Sequence, residues 1–242
     1  MNFDENWQGN KEILVVLAHP DDPEFFMGAT IARWIDAGHC VRYLLLTKGD
    51  KGAKDENLAF EVITKTRVQE QEEAGKILGV SSIECLDYED GYIVPDLPLR
   101  KAVVRAIRKY RPNILATCDP TNIFPSQTYI NHPDHRYTGQ VVLDAVFPAA
   151  GNHFFFPDLI VEGYPPHEVE EVWMSLTNQP DVSLDVTQYW EQRLAALKKH
   201  ASQIGDPIAF EARMAERVAS EAGEPIKYEE KFRVIKFRRK NE

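Results

Sequence analysis

The most restrictive feature of this 242-residue chain is a rhythm in its first 150 residues. Four short apolar runs, ILVVLA at 13–18, CVRYLLLT at 40–47, SIECLDY at 82–88 and NILATC at 113–118, alternate with segments of helical character at 25–37, 58–79, 98–110 and 136–147. The runs are too short for typical helices and rich in branched side chains, so they read as buried strands. The second helical segment closes with RVQEQEEAGKILG, whose last glycine, Gly79, stands where a C-terminal cap belongs. Four strand–helix repeats predict an α/β protein with a mostly parallel central sheet.

Beyond residue 150, EEVWMSL at 170–176 and KFRVIKF at 231–237 predict further strands, and DVTQYWEQRLAALKKHASQI at 185–204 is expected to contain a helix preceded by an Asp or Thr cap. These complete the fold rather than start a second domain, so residues 1–242 are expected to form one domain. A loop-rich insertion near 148–168 carries HFFFPD and a cluster of prolines and glycines. Its Phe154, Phe155 and Phe156 either form an apolar wall or are buried under the loop or in a subunit contact. The final RRKNE, 238–242, is expected to be a solvated tail.

In an open α/β sheet, ligands bind beyond the carboxyl ends of the strands. AHPDD, residues 18–22, leaves the first strand there, and the loop after the fourth strand, DPTNIFPSQTYINHPDHRYTG, reaches the same edge. Either motif alone is more often a turn or a helix cap. Together, His19 and Asp22, three residues apart, and His132 and His135, likewise spaced, supply the nitrogen and oxygen donors of a catalytic zinc site with one position left for water. Three ligands would leave one carboxylate of the Asp21/Asp22 pair and one imidazole of the His132/His135 pair, which hydrolysis needs as a base and an oxyanion stabiliser.

Charge narrows the partners. With 28 basic and 38 acidic residues, net −10, the chain has no overall attraction for nucleic acid or anionic membranes. The polar, acidic start MNFDENWQGNKE has no signal-peptide pattern and no apolar window is long enough to span a bilayer, so a cytoplasmic protein is expected. Cys40, Cys85 and Cys118, widely spaced and without a CxxC pair, are expected to be reduced and mostly buried.

On AHPDDPE and HPDHR above all, the chain resembles the PIG-L (LmbE-like) family of metal-dependent N-acetylglucosaminyl deacetylases over nearly its whole length. TKGDKG, RVQEQEEAGKILGV, DYEDG and DVTQYWEQRLAALKKHASQ are weaker landmarks of the same likeness. The resemblance implies a Rossmann-like three-layer fold, with His19, Asp22 and His135 as metal ligands and Asp21 as the general base. It implies that His132 steadies the oxyanion, that Asp134 orients an imidazole, and that Arg67 and Asp90 contact sugar hydroxyls. For the last two there are plainer readings, a surface helix residue and a turn before Gly91. Departures are the single glycine of MGAT, Gly28 followed by Ala29, and Tyr129, which is out of register with an assisting tyrosine of some members.

The implied reaction is hydrolysis of an N-acetyl group from a small N-acetylglucosamine-type substrate, with Zn2+ as cofactor and Fe2+ as the alternative. An amidase acting on a bulkier or non-sugar N-acyl conjugate would use the same centre. A noncatalytic metal-binding or dinucleotide-binding Rossmann-like module is disfavoured, because GxGxxG is missing and the carboxylate-rich loop would repel a pyrophosphate. Assembly into a homo-oligomer stays open.

Overall fold

The computed structural model describes residue 5 and residues 7–53, 55–216 and 226–237. The strands are β1 (Glu12–Leu17), β2 (Cys40–Thr47), β3 (Ser82–Tyr88), β4 (Ile114–Cys118), β5 (Glu171–Ser175), β6 (Val182–Asp185) and β7 (Glu229–Lys236). The helices are α1 (Asp22–Asp36), α2 (Phe60–Leu78), α3 (Leu97–Tyr110), α4 (Pro133–Asp144), α5 (Pro157–Val161), α6 (Trp190–Leu197), α7 (Ala201–Ile204) and α8 (Pro207–Glu216). Both α1 and α4 begin three residues earlier than the periodicity predicts. Each has a proline in its first turn, where the missing N–H costs nothing.

The strands lie in the order β3-β2-β1-β4-β5-β7-β6. β1 to β5 pair in parallel, and β7 runs antiparallel to β5 and β6. Alternate residues of β1 explain the layers. Ile13, Val15 and Leu17 pack with Ile31 and Trp34 of α1 and Ala74 of α2. Leu14 and Val16 pack on the other face with Val103 and Ile107 of α3 and Val141 of α4. A sheet apolar on both faces must be covered on both, which gives a three-layer, Rossmann-like fold. The chain winds outward from β1 to β3, then crosses back to β4 on the other side of β1. The loops leaving β1 and β4 therefore part around a crevice at this switch point.

Helix α1 is broken at Met27, where φ is −157° and ψ 24°. Groups from far along the chain satisfy the polar atoms the break exposes. The Glu230 carboxylate of β7 accepts from the N–H groups of Ala29 and Thr30 at 3.2 and 2.7 Å. Arg193 of α6 donates to the carbonyls of Glu24 and Phe25 at 2.9 and 2.6 Å. Gly28 is there for space, because a Cβ would stand 3.0 Å from Arg193 Cγ. The single glycine of MGAT thus serves close packing between helices, not loop flexibility.

Other expectations are amended. The helix expected within 185–204 is α6, preceded by a 3-10 turn at Thr187–Tyr189 and followed, after a break at 198–200, by α7. The expected cap is not formed: Asp185 lies just before the 3-10 turn and accepts from Thr187 N at 3.0 Å, and neither that turn nor α6 has a side-chain cap. β6 and α7, four residues each, are too short for periodicity to reveal, and α8 is an element the sequence reading did not find. The insertion contains a wide helical turn at Ala145–Ala150, a cis Phe147–Pro148 bond and α5. It is built around Arg108 of α3, 1% exposed, whose guanidinium donates to the carbonyls of Ala149, Ala150, Asn152, Phe155 and Phe156. Phe155 and Phe156 pack against the α3/α4 side of the core, whereas Phe154 is 79% exposed. Of the thiols, all free, only Cys118 is buried, while Cys40 and Cys85 are half-buried. The expected tail at 238–242 lies outside the described residues. No described helix is long and apolar enough to cross a membrane.

Candidate metal centre

The turn after β1 places His19, Asp21 and Asp22 at the crevice. The Asp22 carboxylate closes this turn, its Oδ2 accepting from the N–H groups of Ala18 and His19 at 3.2 and 2.9 Å. Across the crevice, α4 packs so tightly on the end of β4 that a Cβ on Gly139 would lie 2.3 Å from the Cys118 carbonyl oxygen. That approach brings the start of α4 to the turn. His135 Nε2 lies 3.1 Å from Asp22 Oδ1, and His19 Nδ1 lies 3.4 Å from Asp22 Oδ2. Asp22 therefore sits between the two rings that the sequence pairs with it.

The far side of each ring is also engaged. His19 Nε2 faces Asp90 Oδ1 at 3.1 Å and Asp134 Oδ2 at 3.2 Å. Asp134 Oδ2 also accepts from Gly91 N at 2.7 Å, while its Oδ1 is buried without a partner. His135 Nδ1 lies 3.1 Å from Asn131 Oδ1, and Asn131 Nδ2 donates to the carbonyl of Asn122 at 2.9 Å. That second bond fixes the amide, so Asn131 presents an acceptor and His135 carries its proton on Nδ1. His132, the residue capping α4, accepts from Asp134 N at Nδ1 over 3.2 Å. Its neutral ring therefore carries the proton on Nε2.

The donors fit a divalent ion. His19 Nδ1, His135 Nε2 and Asp22 Oδ1 are left over once every hydrogen bond on the opposite side of these groups is assigned, and they form a hard-to-borderline N, N, O set. Among the described residues, two triads have donor atoms within 4.8 Å of one another, His19/His132/His135 and His19/Asp90/Asp134, and the expected set His19/Asp22/His135 is not one of them. Both share His19. The second lies on the ring edge turned away from Asp22 and is the hydrogen-bonding support of His19.

Charges follow from this packing. Burial works to raise the Asp22 carboxyl, but His135 and His19 outweigh it and hold it well below the usual carboxylate range. Burial works to lower His19, yet Asp22, Asp134 and Asp90 carry it well above its ordinary value. Asp21 is pushed up to about 6, first by burial, against the pull of Arg67 and with the push of Asp22. His132 is lowered by burial and by the neighbouring His19 and His135.

Arg67 and Asp90 both have inward partners. Arg67 is buried rather than a surface helix residue, and its Nη2 donates to Pro20 O at 2.6 Å and to Asp21 Oδ2 at 3.1 Å, while Nη1 donates to Gly49 O at 3.1 Å. Asp90 accepts from Lys51 N at 3.3 Å as well as facing His19. Arg67 Nη1 and Asp90 Oδ2 are 4.0 Å apart. Tyr129 is 56% exposed, on the loop before α4. Sequence reasoning missed Asn131, whose adjacency to HPDH was its only signal, and Gln71, which accepts from Asp21 N at 2.8 Å.

Two imidazoles, a carboxylate between them, and a second carboxylate and a third imidazole alongside form the kind of site that hydrolytic metalloenzymes build at a sheet's switch point. The family model described as GlcNAc-PI de-N-acetylase, PIG-L, matches residues 14–146, and the chain belongs to this PIG-L (LmbE-like) family. It is 34% identical over 206 residues to a diacetylchitobiose deacetylase of Thermococcus kodakarensis, covering 85% of this chain and 75% of that one. A mycothiol S-conjugate amidase of Streptomyces coelicolor is 31% identical over 179 residues, 65% of this chain and 59% of its own. The fold superimposes on the N,N'-diacetylchitobiose deacetylase from Pyrococcus horikoshii with a TM-score of 0.81 at 29% identity, covering 93% of this chain and 84% of that one.

Proposed function

We propose that this protein is a zinc-dependent N-deacetylase that hydrolyses the acetamide of a small N-acetylglucosamine-type substrate, with the whole of residues 1–242 acting as one cytoplasmic domain. The observation that carries the reading is the grouping of Asp22 between His19 and His135, with Asp21 and His132 to spare on the same crevice. His19, Asp22 and His135 would hold the ion. When bound, Zn2+ supplies Lewis acidity and makes hydroxide available near neutral pH, by lowering the pKa of a water from 15.7 to about 7. Fe2+ suits the same donors, since no thiolate biases the set.

The chain's own groups supply the rest. Asp21, pushed up to about 6, accepts the proton of the attacking water and returns it to the leaving nitrogen. His132, with its proton on Nε2, donates to the carbonyl oxygen as charge develops there, a role whose loss typically costs about 100- to 1000-fold in rate. Asp134 and Asp90 hold the His19 ring, and Asn131 holds His135. Arg67 steadies Asp21, and with Asp90 it lines the side of the crevice where sugar hydroxyls are bound.

A second reading, hydrolysis of a bulkier N-acyl conjugate, is favoured by the likeness to the mycothiol S-conjugate amidase. Anaerobic purification with metal analysis, followed by a screen for acetate and free amine released from N-acetyl sugars beside N-acyl conjugates, tests both. Turnover of the conjugates alone refutes the sugar reading, and protein that takes up no metal and releases no acetate refutes the enzyme.

A further inference from the structure

We infer that Gln71 of α2 is the positioning residue for Asp21, an inference that rests on Asp21 being the general base. Asp21 has φ 94°, a left-handed conformation that a residue with a side chain keeps only when its surroundings impose it. Arg67 grips the side chain, and Gln71 grips the backbone, its Oε1 accepting from Asp21 N at 2.8 Å. The amide nitrogen of Gln71 donates to both carboxylate oxygens of Glu24, at 3.0 and 3.1 Å. Glu24 accepts from Tyr43 Oη at 3.3 Å and lies 3.2 Å from His200 Nε2.

Gln71, Glu24, Tyr43 and His200 are all 0% exposed. Asp21 N can only donate, so the Gln71 amide has one permitted orientation, with its oxygen toward Asp21 and its nitrogen toward Glu24. Donation therefore runs one way, from Asp21 N to Gln71 and from Gln71 to Glu24, and ties the backbone of Asp21 to the interior beneath α1. Holding that N–H fixes φ, and φ aims the carboxylate. An aim wrong by about 1 Å costs on the order of 100-fold in rate. A buried donor left without its acceptor also gives the turn reason to relax.

The test compares the kinetics of zinc-loaded variants on whichever N-acetyl substrate the parent turns over. Gln71→Leu lowers kcat by about 10- to 100-fold, with KM and zinc affinity within about twofold of the parent. Gln71→Glu keeps an acceptor for Asp21 N but sets a second carboxylate against Glu24, and also lowers kcat. The double variant Glu24→Gln/Gln71→Glu restores the pairing in reverse: the carboxylate introduced on α2 accepts from Asp21 N and from the amide introduced on α1, and His200, whose Nδ1 has no partner, can change tautomer to suit. Its kcat recovers to within about threefold of the parent.

A Gln71→Leu enzyme with unchanged kcat overturns the inference, as does a loss that appears in KM or metal content instead, or a double variant no faster than Gln71→Glu alone. If Gln71→Leu does not fold, the Gln71→Glu pair still decides. Asp21→Asn is measured alongside. Should it retain parental turnover, the base assignment falls and the positioning role with it. Should it be inactive while the Gln71 variants are not, only the positioning role falls.

Discussion

Replacing Asn131 by leucine isolates what His135, a proposed metal ligand, gains from the group behind it. Asn131 is 1% exposed, and leucine is close to it in shape, so the substitution removes two hydrogen bonds and little volume. Loss of the bond to Asn122 O affects stability by about 1 kcal/mol, the usual net value for a neutral hydrogen bond. Loss of the bond from His135 acts on the ion: Nδ1–H is left without an acceptor, so the ring is free to rotate or to move its proton to Nε2, the atom that faces Asp22. Partners of this kind change metal affinity by about 10- to 100-fold, or about 1.4–2.7 kcal/mol. Metal-free protein titrated with Zn2+ against a chromophoric chelator reads the constant directly, and the thermal midpoint of the metal-free form reports the stability part. Asn131→Asp, which keeps an acceptor toward His135, retains affinity. Zinc binding by Asn131→Leu within about twofold of the parent would refute the reasoning, because the ring would then be held by its packing alone.

Further outcomes follow from the same geometry. Asp21→Ala keeps its metal and loses turnover, whereas His19→Ala loses both; metal analysis beside acetate release separates them, and near-normal activity in Asp21→Ala removes the base from the mechanism. Arg108→Met takes the guanidinium from five carbonyls, of which those of Ala149, Ala150, Asn152 and Phe156 keep a backbone donor, and destabilises the fold by about 1–3 kcal/mol, read by urea denaturation; a change under about 0.5 kcal/mol would mean that water replaces the guanidinium at no loss. Cys85 is pushed up to about 11 by burial, so its alkylation in the folded protein is slow at neutral pH and rises about tenfold per pH unit toward that value. Mass-resolved iodoacetamide labelling from pH 7 to 10 checks it, and a flat profile contradicts it.

The parallel half of the sheet was legible because β1, β2 and β4 are covered on both faces, and such strands are nearly continuous apolar runs. The meeting of His19, Asp22 and His135 was legible too, since both motifs leave strands that flank the point where the winding reverses. What sequence could not reveal is whatever long-range contacts decide. The break at Met27 is sustained by Arg193 and Glu230, and Gln71 carries no local mark of facing Asp21. Arg67 looks like any helix cation until α2 is laid against the β1 turn, which encloses its guanidinium. The short β6 and α7 offer too few residues for a period to show.

The clasp on α1 has a consequence for biosynthesis. The helix that follows the His19 turn leaves the ribosome some two hundred positions before the carboxylate that completes its second half, at Glu230. Until that strand arrives, β5 lacks its antiparallel neighbour and offers an open edge to other nascent chains. Synthesis alone cannot finish the crevice end of this molecule as α1 emerges, and a ribosome stalled before β7 holds a polypeptide whose α1 is still incomplete.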